Sequence, residues 1–241
     1  MADARIDRHN RSQRRYFEER EKRGMRPAAT PYLRRHVDEL VRFTPLARGD
    51  RVLEVGCGMG RYTFLLAERG LRVEGLDLSP VLLERLRDFG DGRYEIPLHA
   101  ADVAEPPPGL EQRFDAVIGL FALHHLHDLD RCFESIARLI RPGGRLAFLE
   151  PNPLNPLYYV QMAVTPGMTW AGDRGIVRMR PGVVLGSMAA AGLRSRPAER
   201  FGFFPPFVAN ARGASQVEAA LERVRPLRPF LPFQLFGATR P

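Results

Sequence analysis

Between Pro31 and Phe43 the apolar residues Leu33, Val37, Leu40 and Val41 fall on one stripe, which predicts an amphipathic helix. Upstream, residues 5–23 are dense in Arg and Glu around Tyr16 and Phe17, a second helix whose few apolar side chains need a neighbouring surface to rest on. The period then changes. Short apolar runs at 51–55, 72–76, 96–101, 114–120 and 145–149 predict strands, while 62–68, 79–86 and 130–139 read as helices. Ser79 as cap with Pro80 at the first helical position marks one helix start, and Pro142-Gly143-Gly144 turns the chain into the fifth strand. Strands alternating with helices imply a parallel sheet covered on both faces. The last third repeats the alternation more loosely. It predicts helices at 183–191 and 216–224, the latter opened by a capping box of Ser215 and Glu218, and strands at 193–200 and 233–239. The stretches 151–166, 201–214 and 225–232, crowded with Pro and Phe, exceed what such connections need, and substrate specificity is expected there.

A chain of 241 residues fits one domain of generous size, and 44% hydrophobic with 27% charged residues excludes wholesale disorder. The division expected is a helical lid over residues 1–43 and a single domain over 44–241, with substrate-covering insertions at about 151–180 and 201–232. The longest uncharged stretch, Pro151 to Gly172, carries four prolines, two asparagines and a glutamine, so it does not read as a membrane span. With no apolar segment after its first basic residues, the chain is expected to be cytoplasmic, with peripheral membrane contact left open. The net charge of +8 is uneven: +5 over 1–50, −4 over 51–150 and +7 over 151–241. These basic residues are scattered through helical and turn segments, and only Lys22 among them is a lysine, which disfavours a nucleic-acid partner. Cys57 and Cys132 stand 75 positions apart without zinc or CxxC spacing and read as free thiols.

Candidate chemistry concentrates where strands end. Val52-Leu-Glu-Val-Gly56-Cys57-Gly58-Met-Gly60 delivers a strand into three glycines at alternate positions, allowing a tight turn and close approach of backbone to ligand. The dinucleotide fingerprint GxGxxG fails, because its third glycine falls on Arg61 or Thr63. Glu54 adds a carboxylate that disfavours pyrophosphate and favours a cationic amine. Asp77 ends the second strand 21 residues after Gly56, where a carboxylate accepts both hydroxyl protons of an adenosine ribose. Asp102 ends the third strand and is expected beside the adenine. Together they outline an adenosine ligand whose other end carries an amine.

These residues resemble the class I S-adenosylmethionine-dependent methyltransferases, in the small-molecule group with the motif hhEhGCGxG. The resemblance covers residues 50–150 firmly. It implies a Rossmann-like α/β fold: a doubly wound, mostly parallel seven-stranded sheet whose last strand runs antiparallel. It implies S-adenosyl-L-methionine as cofactor, with Glu54, Gly56, Cys57, Gly58 and Gly60 around the methionyl part, Asp77 on the ribose and Leu78 beside the adenine. Asp102 and Val103 match the pair after the third strand, Leu120 and Phe121 would underlie the cofactor, and the N-terminal helices, through Tyr16, would cover it. The activity implied is methyl transfer to an oxygen or carbon of a small, largely apolar or aromatic metabolite by a monomer or homodimer. N-methylation of a small amine and non-catalytic cofactor binding are the alternatives.

His124 and His125 follow the fourth strand. One of them is a candidate for proton transfer, although adjacent side chains on extended chain point apart. The local sequence offers no HxxxH and no clustered carboxylates, so no metal is expected. Glu150 and Asn152 close the fifth strand at the edge where ligands bind and are candidates for positioning an acceptor hydroxyl. Gly119-Leu-Phe-Ala122 replaces the Asn/Asp-Pro-Pro-aromatic motif of base-methylating enzymes. The apolar residues of 153–170 and 201–207, Tyr159 and Phe204 among them, are expected to wall the acceptor pocket, since nothing charged lies among those of 151–172.

Overall fold

The computed structural model describes residues 2–19, 23–164 and 168–241. In chain order the elements are α1 (Ala2–Glu18), α2 (Pro31–Phe43), β1 (Arg51–Val55), α3 (Thr63–Glu68), β2 (Arg72–Asp77), α4 (Pro80–Gly90), β3 (Leu98–Ala100), β4 (Phe114–Leu120) and α5 (Leu129–Leu139). There follow β5 (Ile140–Pro151), α6 (Pro156–Val164), α7 (Trp170–Asp173), α8 (Pro181–Ala190), β6 (Arg194–Phe201), α9 (Pro206–Ala209), α10 (Ala214–Leu221) and β7 (Phe233–Thr239). The seven strands form one sheet in the order β3-β2-β1-β4-β5-β7-β6. β1 to β5 pair in parallel, and β7 runs antiparallel to both β5 and β6. The strand order reverses between β1 and β4, the switch point where such sheets open a ligand crevice.

Period-two burial explains the two covered faces. Leu53, Val55, Val117, Leu146, Phe148 and Phe236 point to one side, where Phe133 and Ile136 of α5 and Val184 and Met188 of α8 meet them. Val52, Ala116, Ile118, Ala147, Leu149 and Leu235 point to the other, against Leu33, Val37, Leu40 and Phe43 of α2 and Leu65 and Leu66 of α3. Gly119 of β4 is glycine because a Cβ there would collide with the ring of Phe148.

Leu33, Val37, Leu40 and Phe43 thus make α2 part of the core. Thr30 caps α2 through the Leu33 N–H, Ser79 caps α4 through the Leu82 N–H, and Asp128 caps α5 through the Arg131 N–H. The capping box at Ser215 does not form. α10 starts two residues earlier behind Gly213 in left-handed backbone, and the Ser215 hydroxyl donates to Gln216 instead. Glu218 is buried and accepts the N–H groups of Phe203 and Phe204 while pairing with Arg35. Satisfying buried amides outweighs a helix cap that water can replace. Among the described residues no helix is long and apolar enough to cross a membrane.

Candidate active site

A cleft of ≈ 380 Å³ runs along the C-terminal ends of β1, β2 and β4. Its floor is the glycine turn. Gly56 and Gly58 line it with φ of +71° and +52°, and a Cβ on Gly56 would stand 2.6 Å from that of Ala122. Gly60 does not line the cleft. Its glycine character serves packing, since a Cβ there would stand 2.8 Å from the Phe64 ring. Asp77 spans the turn: Oδ2 accepts the Gly58 N–H at 2.8 Å and Oδ1 the Ser79 N–H at 2.9 Å. Burial raises the Asp77 carboxyl above the usual range, and those two bonds act against the rise. Leu78, Asp102 and Val103 continue the lining, with Asp102 accepting from the Ala104 N–H and from Asn10 of α1.

Glu54 lies beneath the turn, buried, accepting the Thr63 hydroxyl at 2.6 Å. Burial pushes its pKa up to about 8, against the Thr63 bond and with the charge of Asp77 adding to it. Cys57 lines the cleft as well, and burial drives its thiol far above the ordinary value, so it is no nucleophile.

Beyond the turn the cleft opens into an aromatic chamber. Phe121 follows β4 with φ +58°, an unusual backbone for an aromatic residue, held by its N–H bond to the Leu149 carbonyl at 2.8 Å. Its ring lies 5.3 Å from that of His36 and 5.7 Å from that of Phe233, and Tyr62 stacks at 6.1 Å. His36 is buried with Nδ1 2.9 Å from the Tyr62 hydroxyl, and burial, aided by the charges of Arg61 and Arg35, holds it well below the usual histidine range and so neutral.

The polar end holds His124, His125 and Asp173. His124 is buried with Nδ1 2.6 Å from Glu150 Oε2, and Glu150 Oε1 accepts the N–H groups of Ala122 and Leu123. Glu150 is fully buried behind His124 and does not face the cleft, so it can act only through that histidine. Asn152 is likewise withdrawn: its amide donates to the carbonyls of Pro229 and Leu231, which fixes the loop before β7. His124 and His125 both line the cleft with ring centroids 3.9 Å apart, because residues 123–125 form a 3-10 turn in place of extended chain. Asp173, just past the uncharged stretch, is buried in the same wall and accepts the Tyr16 hydroxyl at 2.7 Å.

α1 closes the roof. Tyr16 reaches Asp173, Glu18 accepts the Ser79 hydroxyl at 2.6 Å, His9 meets the His125 carbonyl at 2.7 Å, and Phe17 packs edge-on to His125. The expected apolar wall is mostly elsewhere. Tyr158 and Met168 line the cleft, but Tyr159 donates to the Pro153 carbonyl, Phe204 lies outside the lining, and Leu157, Trp170 and Phe207 are exposed. Helix α6 turns Tyr158 and Gln161 inward and so turns Leu157 and Val160 out. His36, Tyr62 and Phe233 supply the aromatic wall instead. His36 was legible as a fourth member of the Leu33-Val37-Leu40 stripe, whereas Asp173 gave no signal beyond ending an uncharged run.

Residues 53–148 match the family model described as a methyltransferase domain. Over that span the chain resembles the class I S-adenosylmethionine-dependent methyltransferases. It is 35% identical over 127 residues to a 27-O-demethylrifamycin SV methyltransferase of Amycolatopsis mediterranei (strain S699), covering 49% of this chain and 46% of that one. It is 36% identical over 115 residues to a ubiquinone biosynthesis O-methyltransferase of Alkalilimnicola ehrlichii, covering 46% and 47%. The chain thus spans about half the length of the curated relatives it matches. A solved S-adenosylmethionine-dependent methyltransferase from Mesorhizobium loti superposes with TM-score 0.59 at 25% identity, over 84% of this chain and 96% of that one.

Proposed function

We propose that the protein binds S-adenosylmethionine along the glycine turn and transfers its methyl group to an oxygen of a small, largely apolar or aromatic metabolite. The observation that carries this reading is continuity: the glycine turn with Asp77, the aromatic chamber and the polar end of His124 and Asp173 line one cleft. The methionyl part lies over Gly56 and Gly58 with Glu54 below, Asp77 takes the ribose hydroxyls, and Leu78, Asp102 and Val103 surround the adenine. The acceptor ring packs among His36, Tyr62, Phe121 and Phe233, and its hydroxyl points to His124 and His125. Bound there, the cofactor would supply a sulfonium-activated methyl group for in-line transfer to the acceptor oxygen, with His124 or His125 taking the hydroxyl proton. Alignment and exclusion of water supply most of the acceleration. Glu150 acts as a positioning residue for His124. The two relatives named as O-methylating favour oxygen over carbon. An amine acceptor is the second reading, favoured by buried Asp173 beside aromatic rings.

The test is incubation with methyl-labelled S-adenosylmethionine and a panel of phenols, catechols, hydroxy acids and amines, with products read by mass. Labelled phenol or catechol ethers are expected. Labelled amines alone would establish the second reading, and cofactor binding without any product across the panel would leave a binding protein.

A further inference from the structure

We propose that His124, His125 and Asp173 form a binding site for one divalent transition-metal cation at the acceptor end of the cleft. The inference rests on the reading of that end as the place where the acceptor oxygen is held. One donor atom from each of the three lies within 4.8 Å of the others. Metal–ligand bonds of about 2.0–2.2 Å set adjacent donors about 3.0–3.4 Å apart, so the side chains need draw in by little over an ångström. Two imidazoles and one carboxylate suit zinc, cobalt, manganese or ferrous iron. They do not suit magnesium or calcium, which take oxygen ligands.

Two independent features prepare these residues for a cation. The first stands behind His124. A carboxylate already accepting two backbone N–H groups takes its third bond from Nδ1–H, which fixes the proton on Nδ1 and leaves Nε2 with its lone pair. This carboxylate–histidine arrangement orients metal-bound imidazoles and raises their basicity. The second is the pair of glycines around Asp173. A Cβ on Gly172 would stand 2.5 Å from the Tyr16 ring, and one on Gly175 would collide with the His124 carbonyl oxygen. Side chains at those positions would hold Asp173 away from the histidines. The Tyr16 hydroxyl and the Thr169 N–H both bond Oδ2, which assigns Oδ1 as the ligand atom. Asp173 is buried, and its partners among the described residues are neutral, so a cation supplies the counter-charge that a buried carboxylate otherwise lacks. Three protein ligands leave a position open, and an acceptor hydroxyl bound there is acidified by the metal as a coordinated water is.

The test uses the full chain, stripped of metal by a chelator and desalted, titrated calorimetrically with Zn²⁺ alone and followed with Co²⁺ by visible absorption. One ion per chain is expected. Asp173→Asn and His125→Gln are expected to weaken it at least about tenfold, and Glu150→Gln by about 10–100-fold through His124. Retained S-adenosylhomocysteine binding shows that each variant is folded. Histidine-selective ¹⁵N spectra of the unaltered protein give a reading free of substitutions: Zn²⁺ must shift the ring nitrogens of His124 and His125 and leave His99 unmoved. Absence of saturable one-to-one binding, equal affinity in all variants, or unshifted His124 and His125 would overturn the site. Methyl transfer that persists in excess chelator under those outcomes leaves the methyltransferase reading standing, so the two can fail separately.

Discussion

Asp77 holds the glycine turn with one oxygen and the start of α4 with the other. Asp77→Ala is expected to weaken S-adenosylmethionine binding by about 1.5–3 kcal/mol through lost charged hydrogen bonds. Calorimetry finding unchanged affinity in the folded variant would remove Asp77 from the site. Glu54 makes a different prediction, because its pKa of about 8 exceeds the ordinary carboxyl value of 4.5. The unfolded chain loses that proton first, so native stability falls as pH climbs from 4.5 to about 8 and then levels off. Glu54→Gln keeps an acceptor for Thr63 and abolishes the loss. Its melting temperature is expected to match the parent below pH 4.5 and exceed it increasingly up to pH 8, by thermal unfolding across that range. A cofactor ammonium drawn to Glu54 favours the carboxylate. Binding at pH 7 is therefore expected to release protons, seen as a dependence of the calorimetric heat on buffer ionisation enthalpy. Equal heats in phosphate and Tris would argue against the ammonium contact.

At the scale of elements, α1 is tied to the cleft by side chains from five positions, His9, Asn10, Tyr16, Phe17 and Glu18, and it rests on little of the main core. Removing residues 1–19 is expected to leave the fold intact while S-adenosylhomocysteine dissociates faster, as stopped-flow displacement would record. Dissociation at the parental rate would mean α1 covers nothing that matters to the ligand. The start of α4 could be read from Ser79-Pro80, because that cap is a local bond between neighbours in sequence, and Thr30 and Asp128 cap α2 and α5 in the same way. The Ser215–Glu218 box could not, since Glu218 answers amides of residues 203 and 204 and the charge of Arg35, all remote from it. The same division runs through the site. Gly56, Asp77 and Asp102 sit at strand ends and follow from spacing alone, whereas His36, Tyr62 and Asp173 reach the cleft only because helices and turns pack where they do.

For the molecule as a whole, alternating apolar strands and amphipathic helices were enough to set out a parallel sheet covered on both faces, since two-faced burial leaves few other arrangements, whereas the antiparallel last strand followed only from the resemblance to the methyltransferase family. The helices α6 and α9 inside the Pro-rich stretches escaped that reading, because proline interrupts the periodicity by which short helices are recognised. Two-faced burial also sets stability: Phe148, fully buried between β4 and α5, is expected to cost about 3–5 kcal/mol on replacement by alanine, measurable by urea unfolding.

The position of β7 between β5 and β6 has a bearing on how the chain is made. Among the described residues β6 bonds to no strand but β7, and β5 shares its outer edge with β7 alone. During synthesis, then, residues 194–201 leave the ribosome with nothing to pair with until residues 233–239 emerge. Throughout that interval β5 shows an open hydrogen-bonding edge to the surroundings. A nascent chain arrested before residue 233 should carry α2 through β5 largely assembled and yet be caught by chaperones at this edge. Release of the chaperone should coincide with insertion of one seven-residue strand.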